Sequence, residues 1–535
     1  MKSVMSHNFS QIPKANIPRS QFDRSHGHKT TFDAGKLVPI FADEALPGDT
    51  FNLNMSAFAR LATPIAPIMD NMKMDSFFFA VPIRLIWDNW ERFNGAQTDP
   101  GDSTDFLVPT MPAPSGGFTE LSLFDYLGIP TKIDDIDINA FWSRAYNLIW
   151  NDWFRDENLQ ESIVVDRDDG PDIETDYVLK SRGKRHDYFT SCLPWPQKGE
   201  EVTIPLGTDA PITGIGKHNQ TYASGPINSY ETDGSGTKSY ADYKQIEAGV
   251  NDAFYVEEDP NNAGYPNIRA DLSQATAATI NALRLAFQVQ KLYERDARGG
   301  TRYTEIVQSH FGVISPDSRL QRPEYLGGGS SAVNIHPIAQ TSSTDVTTPQ
   351  GNLAAMGTTS SNGHGFTKSF TEHCVILGLV NVRADLTYQQ GLNRMWSRQS
   401  RWDFYWPALA HIGEQAVLNK EIYTQGDTVI NGTTGNPYDE EVFGYQERFA
   451  EYRYKPSQIT GRFRSNATGS LDLWHLSQEF GSLPTLDNTF ITDAPPIDRI
   501  IAVPGEPHFI FDSYFSIKTA RPMPVYSIPG KIDHF

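Results

Sequence analysis

Thr50–Ala62 reads TFNLNMSAFARLA. Its odd-numbered positions are Phe51, Leu53, Met55, Ala57, Ala59 and Leu61, and its even-numbered positions include Thr50, Asn52, Asn54, Ser56 and Arg60. Alternation with period two predicts a β-strand with one face in a core and the other in solvent. Thirteen residues at roughly 3.3 Å each would span roughly 43 Å, long for a strand.

Met72–Val81 (MKMDSFFFAV) is a second strand candidate, and Ile83–Phe93 (IRLIWDNWERF) reads as a short helix. At the far end of the chain Phe509, Phe511, Phe515 and Ile517 alternate with Asp512, Ser516 and Lys518, which predicts a final long strand. His373–Val382 (HCVILGLVNV) is apolar almost throughout and reads as a strand buried on both faces. Strong strands at both ends, with loops and helices between, predict one β-sandwich closed by its terminal strands and carrying large insertions.

The helical signals lie inside the chain. Ala140–Phe154 (AFWSRAYNLIWNDWF) places Phe141, Ala145, Leu148 and Asp152 on one row and Trp142, Tyr146, Ile149 and Trp153 on the next. An aromatic stripe at that spacing predicts core packing, not a cofactor box. Asp271–Arg298 reads as a long helix capped by Asp271 and ended by Gly299-Gly300. Gly207–Asn267, Gly327–Gly365 and Asn419–Pro437 are rich in turn formers and read as loops. No internal repeat is visible.

Composition agrees with a β-rich chain. Among 535 residues there are 35 Pro, 41 Gly, 31 Phe, 22 Tyr and 10 Trp. The first thirty residues are polar and basic: Lys2, Lys14, Arg19, Arg24 and Lys29 against the single acid Asp23. Pro13 and Pro18 discourage a helix there, so the segment reads either as a disordered tail or as an arm that orders against a partner or a phosphate backbone. The whole chain carries a net charge of −20, which by itself argues against a nucleic-acid binder. Two cysteines, Cys192 and Cys374, exclude a disulfide scaffold and fit a reducing compartment. The apolar runs are strand-sized and the N-terminus lacks an apolar signal segment, so neither general secretion nor membrane insertion is expected.

Motifs for catalysis are missing. There is no G-x-x-x-x-G-K-[ST], no H-E-x-x-H and no C-x-x-C, and Gly327-Gly328-Gly329 lacks the dinucleotide pattern. His26-Gly27-His28 reads as solvent-exposed. Acidic stretches occur at Asp99–Asp105, Asp134–Asp137 and Asp166–Asp172. The last, DRDDGPD, has Gly170 one position too early for a calcium loop and reads as a solvated turn.

Four long stretches carry a family resemblance. They are Ile12–Gly95, opening IPKANIPRSQFDRSHGHKTTFD; Leu283–Gly328, containing YERDARGGTRYTEIVQSHFGV; Arg383–Tyr423, containing LNRMWSRQSRWDFYWPALA; and Phe443–Ser465, FGYQERFAEYRYKPSQITGRFRS. In these the chain resembles the major capsid proteins of the Microviridae, the gokushovirus branch above all. The resemblance implies a mainly β fold, a single jelly-roll β-sandwich of the viral capsid type with long loop and helical insertions. It implies one capsid domain over 1–535: a basic arm at 1–35 on the inner surface, the jelly roll at 36–206 and 268–535, and a variable surface insertion at 207–267 forming a threefold protrusion. It implies a structural protein and no enzyme, located in the virion and assembled in the host bacterial cytoplasm.

The implied partners are further copies of the chain, as pentamers in a 60-copy T=1 shell, and a circular single-stranded DNA genome. A small basic DNA-packaging protein, an internal scaffolding protein, a pilot protein and a host surface receptor complete them. The family supplies no catalytic residues. Its shells meet DNA on the inner surface, a role assigned here to Lys14, Arg19, Arg24 and Lys29. A second basic and aromatic cluster, Arg394, Arg398, Arg401 and Trp402, suits single-stranded DNA, because bases stack on aromatic rings and phosphates pair with arginine; a subunit interface is its alternative. About sixty copies at −20 would carry roughly 1,200 negative charges around another polyanion. The acids are therefore expected mainly on the outer surface. No cofactor is expected beyond divalent cations bridging acidic loops at subunit contacts. The competing readings are a carbohydrate-binding or carbohydrate-hydrolysing β-sandwich, and a phage spike or tail protein.

Overall fold

The computed structural model describes residues 18–199, 212–213, 227–230, 237–240, 269–270, 280–314, 316, 321–342, 344, 346 and 349–526. Its longer strands include β1 Ser20–Asp23, β2 His26–Phe32, β3 Val38–Ala45, β4 Thr50–Leu61, β5 Met72–Pro82, β6 Glu324–Ala339, β7 Leu353–Ser369, β8 Cys374–Ala384, β9 Glu414–Leu418, β10 Val442–Glu447 and β11 Phe509–Arg521. The helices are α1 Phe141–Ile149, α2 Ile280–Gly299 and α3 Tyr303–Phe311.

The alternation in Thr50–Ala62 is realised without a break. Phe51, Leu53, Met55, Ala57, Ala59 and Leu61 are buried, and Asn52, Asn54, Ser56, Phe58 and Arg60 face solvent. β11 repeats the pattern and pairs antiparallel with β4 from Phe509↔Leu61 to Ala520↔Thr50. A one-residue slip would turn both apolar rows outward, so burial fixes this register.

The main strands fall into two groups of four. One runs β2-β11-β4-β7 and the other β3-β8-β5-β6, with every pairing antiparallel. β1 extends the pairing along β11. The chain changes group between β2 and β3, β3 and β4, β4 and β5, β6 and β7, β7 and β8, and β8 and β11, and stays within one group only from β5 to β6. That is the connectivity of a jelly-roll sandwich. The groups join where β6 meets β7, Asn334–Ala339 against Leu353–Thr358. Between them lies an aromatic-rich core in which Phe41 stands 5.2 Å from Phe515 and Phe78 5.6 Å from Phe366, ring centre to ring centre.

β8 is buried on both faces, as its composition predicts. Ile376, Val380 and Val382 enter the core between the sheets, while Val375, Leu377 and Leu379 enter a second core on the outer face. α1 covers that face with Phe141, Ala145, Tyr146 and Ile149. The aromatic stripe of Ala140–Phe154 is thus core, although its last turn, Trp150–Phe154, widens to π-helical spacing. Ile83–Phe93 forms two short turns, Ile83–Leu85 and Trp90–Phe93.

Two expectations need correction. Gly327–Gly365 is not a loop but most of β6 and β7. Its Gly and Ser residues hide the strand signal because the backbones crowd: a Cβ on Gly328 would lie 2.0 Å from Ser76 O, and one on Gly327 2.4 Å from Gly365 O. The basic arm of residues 1–35 is also shorter than expected, since Ser20–Asp23 and His26–Phe32 belong to the sheet.

Residues 197–298 form a separate compact unit. It contains most of α2 and two small antiparallel pairs, Ile227–Tyr230 with Thr237–Tyr240 and Ile212–Thr213 with Arg269–Ala270. Most of the expected insertion 207–267, and the Asp271 cap, lie outside the described residues. Among the described residues no helix is long and apolar enough to cross a membrane.

Candidate nucleic-acid interface

The four basic residues assigned near the N-terminus have different surroundings. Lys14 lies outside the described residues. Arg19 is exposed and, among the described residues, its guanidinium reaches Thr50 Oγ1 at 3.4 Å. Arg24 is engaged within the fold: Nη1 donates to Asp43 Oδ2 at 2.6 Å and Nη2 to Asp43 Oδ1 at 2.8 Å. Lys29 pairs with Asp512 at 3.1 Å, both in solvent, where such a pair adds little stability. Arg19 is therefore the freest of the three that are described.

The second cluster sits in a segment of short turns, Arg394–Trp396, Arg401–Asp403 and Pro407–Leu409, leading into β9. β9 pairs with β10 and brings the segment beside residues 448–454. Arg394 donates to Ala416 O at 2.7 Å and to Glu421 Oε1 at 3.0 Å. Glu421 is buried, which raises its carboxyl pKa, and it accepts from the Tyr188 hydroxyl at 2.9 Å. Arg398 donates to Glu451 Oε1 at 3.2 Å and lies 4.3 Å above the Tyr452 ring. These two arginines anchor the segment, and their charges are met inside the fold.

Arg401 and Trp402 differ. The Arg401 guanidinium lies 4.6 Å from the Trp402 ring centre and 5.3 Å from that of Trp406. Arg448 lies 4.6 Å from the Phe449 ring and donates to Trp402 O at 3.4 Å. Among the described residues neither Arg401 nor Arg448 forms an ion pair. Around them the aromatic faces are open: Trp396 is 71% exposed and Trp402 55%, with Phe404, Tyr405, Trp406, Tyr452 and Tyr454 also exposed. Exposed rings beside guanidinium groups offer stacking faces and phosphate contacts on one surface, the chemistry of a single-strand platform. Sequence reading named four residues of this surface. The others were signalled by the aromatic density of WSRQSRWDFYW and RFAEYRY, but only pairing of β9 with β10 brings those stretches together.

The acidic loops are ordered by protein groups. Asp166–Asp172 wraps Arg144, whose Nε donates to Asp172 Oδ2 at 2.8 Å and whose Nη1 donates to Asp168 O and Ile86 O, each at 2.9 Å. A buried guanidinium thus fills the centre of a stretch that reads as a solvated turn. Asp102 accepts from the amides of Thr98 and Asp99. His26 is exposed, as expected, with its ring 5.4 Å from that of Phe515, whereas His28 is half-buried and burial lowers its pKa. Among the described residues no group of three or more His, Cys, Asp or Glu is arranged to hold a metal ion.

Comparison with known proteins covers nearly the full length. The family model described as "Capsid protein (F protein)" matches residues 10–531. Capsid protein VP1 of Bdellovibrio phage phiMH2K is 51% identical over 543 residues, covering 99% of this chain and 98% of that protein. Capsid protein VP1 of Chlamydia phage 1 is 45% identical over 590 residues, covering 99% and 98%. Capsid protein VP1 of Spiroplasma virus 4 is 38% identical over 562 residues, covering 99% of each.

Proposed function

The chain belongs to the capsid protein (F protein) family of the Microviridae, and on that premise we propose that it is a major capsid protein that builds a T=1 icosahedral shell of 60 copies, through pentamers, around circular single-stranded DNA. The observation that carries this reading is the jelly roll itself, closed by β2 near one end of the chain and β11 near the other, within a family match that runs from residue 10 to residue 531. Such a sandwich is a plate with solvated rims, suited to tiling a closed symmetric shell. The family match favours this reading over a carbohydrate-active sandwich and over a spike.

In this reading the aromatic and arginine surface around Arg401 and Trp402, with Arg19 and Lys14 from the N-terminal segment, meets the genome. Arg24 and Lys29 contribute less, being paired with Asp43 and Asp512. The net charge of −20 calls for help in packaging from a small basic protein and from cations, with divalent ions bridging acidic loops between subunits. A scaffolding protein, a pilot protein and a host receptor complete the partners, and residues 207–267 supply a threefold protrusion.

Sedimentation of the expressed chain, with electron microscopy of the fractions, tests the assembly. Pentamers or closed shells holding nuclease-protected single-stranded DNA are expected. A folded monomer under all salt and divalent-ion conditions would overturn the reading.

A further inference from the structure

The two sheets of the sandwich differ on their outward sides. That of β3-β8-β5-β6 lies under α1 and the second core. That of β2-β11-β4-β7 stands in solvent, with Lys29, Ser56, Phe58, Arg60, Asp512 and Tyr514 among its exposed residues. In a chain of net charge −20, this face is nearly free of acid. Among the residues of its four strands the only acid is Asp512, which pairs with Lys29. β1 adds Asp23, opposite Lys518. Arg60 stands between Ile510 and Thr358 of the neighbouring strands, and Arg19 reaches Thr50. Among the described residues neither of these two arginines forms an ion pair. Two rings stand on the same face: Phe58 is 50% exposed and Tyr514 54%. Phe58 lies opposite Asp512 and Tyr514 opposite Ser56. The rings are therefore diagonal neighbours, at a backbone spacing of roughly 7–8 Å that aromatic side chains bridge. Small residues flank them and leave their faces open, Ser360 opposite Phe58 and Gly27 opposite Tyr514.

We propose that the outward side of β2-β11-β4-β7 binds single-stranded DNA and forms the genome-facing wall of the subunit, with Phe58 and Tyr514 stacking on adjacent bases and Arg60 and Arg19 meeting the phosphates. Open rings beside uncompensated guanidinium groups are the parts that hold a single strand without reading its sequence. A subunit contact would want a more apolar centre than Asn52, Asn54, Ser56 and Ser516 supply. The choice of occupant rests on the reading of a genome-enclosing shell, but the surface is built from other strands than the one around Trp402. It also orients the sandwich, turning the side covered by α1 away from the genome.

Fluorescence anisotropy with a short labelled oligothymidylate, on the shell-free fraction of the purified full-length chain, tests the face. Phe58→Thr combined with Tyr514→Thr should weaken binding about tenfold or more and leave the salt slope unchanged, because threonine keeps the strand but removes the stacking face. Tyr514→Phe should bind as the parent does. Arg60→Gln should lower the salt slope by about 0.7, the share of one phosphate contact on a single strand. Ultraviolet crosslinking to an oligonucleotide carrying bromodeoxyuridine should capture peptides that contain Phe58 or Tyr514. Parent-like affinity of the double threonine variant, or crosslinks confined to the Trp402 segment, would overturn this face and leave the shell reading standing. Loss of pentamers with unchanged DNA affinity would make the face a subunit contact and overturn it as well. A parent chain that binds no single strand would overturn the face together with the genome reading.

Discussion

Arg24 and Asp43 face each other across the seam where β2 and β3, the outer strands of the two sheets, approach, and they make a two-pronged ion pair at 2.6 and 2.8 Å. Near it the rings of His26, Phe41 and Phe515 meet, with ring centres 5.2 to 6.0 Å apart. The pair therefore closes the sandwich on the side opposite the β6–β7 junction. Its side chains are 34% and 12% exposed, so it is partly shielded from solvent.

Arg24→Ala should lower stability by about 2 kcal/mol, because it strands a shielded carboxylate. Arg24→Lys should recover part of the loss, since the ammonium keeps the charge but not the fork geometry. Arg19→Ala should leave the melting temperature unchanged. Equal losses for Arg19→Ala and Arg24→Ala in thermal unfolding would refute the clasp.

The surface around Trp402 supports a prediction of the opposite kind. Trp402→Ala and Arg401→Gln should leave folding intact, because both side chains are exposed and unpaired. Together they should reduce binding of short single-stranded DNA about tenfold or more, with Arg401→Gln also lowering the salt slope. Arg398→Gln should instead destabilise the segment, since it leaves Glu451 without its arginine. Unchanged DNA affinity with loss of pentamers would assign the surface to a subunit contact.

Strand periodicity made the sheets readable. β4, β8 and β11 each announce their buried faces in the sequence, and all three are strands close to the expected bounds. β6 and β7 stayed hidden because glycine and serine are required where backbones approach closely, and those residues also write loops. Arg24 read as a free arm cation because its partner, Asp43, lies across a turn that only the closed sandwich brings round. For Arg394 and Arg398 the neutralising acids are 27 and 53 positions away in the chain. Charge clusters in sequence thus overcount available charge wherever folding supplies distant carboxylates.

Arg144 and Asp172 should be among the most sensitive positions in the protein. Both side chains are 0% exposed, and the guanidinium also satisfies the backbone carbonyls of Asp168, in the surrounding loop, and of Ile86. Arg144→Met removes one partner of a buried pair and leaves Asp172 charged in the interior, at a cost of about 3–5 kcal/mol. Denaturant unfolding should register that loss. A joint replacement, Arg144→Met with Asp172→Asn, should cost less than Arg144→Met alone, and equal costs would show that the two do not act as a pair.

Asp493 gives the fold a pH dependence whose sign is fixed by its surroundings. Its amide donates to Arg182 O at 2.9 Å, but carboxyl Oδ2 is buried with no hydrogen-bond partner. Burial outweighs the attraction of Arg383, Lys184 and Arg182 and raises its pKa from 3.8 to about 7. The folded chain therefore holds this proton where the unfolded chain has lost it. The stabilisation is fully present below pH 3.8 and is lost as pH rises through about 7, with a ceiling of about 4 kcal/mol. Lys184, lowered by burial to about 8, works with the opposite sign: its stabilisation is present above 10.5 and is lost as pH falls through about 8. It stays charged in both states between pH 4 and 7 and adds no slope there. Asp493→Asn should thus melt like the parent chain at pH 4 and above it at pH 7.5. Parallel melting curves across that range would place the Asp493 proton elsewhere.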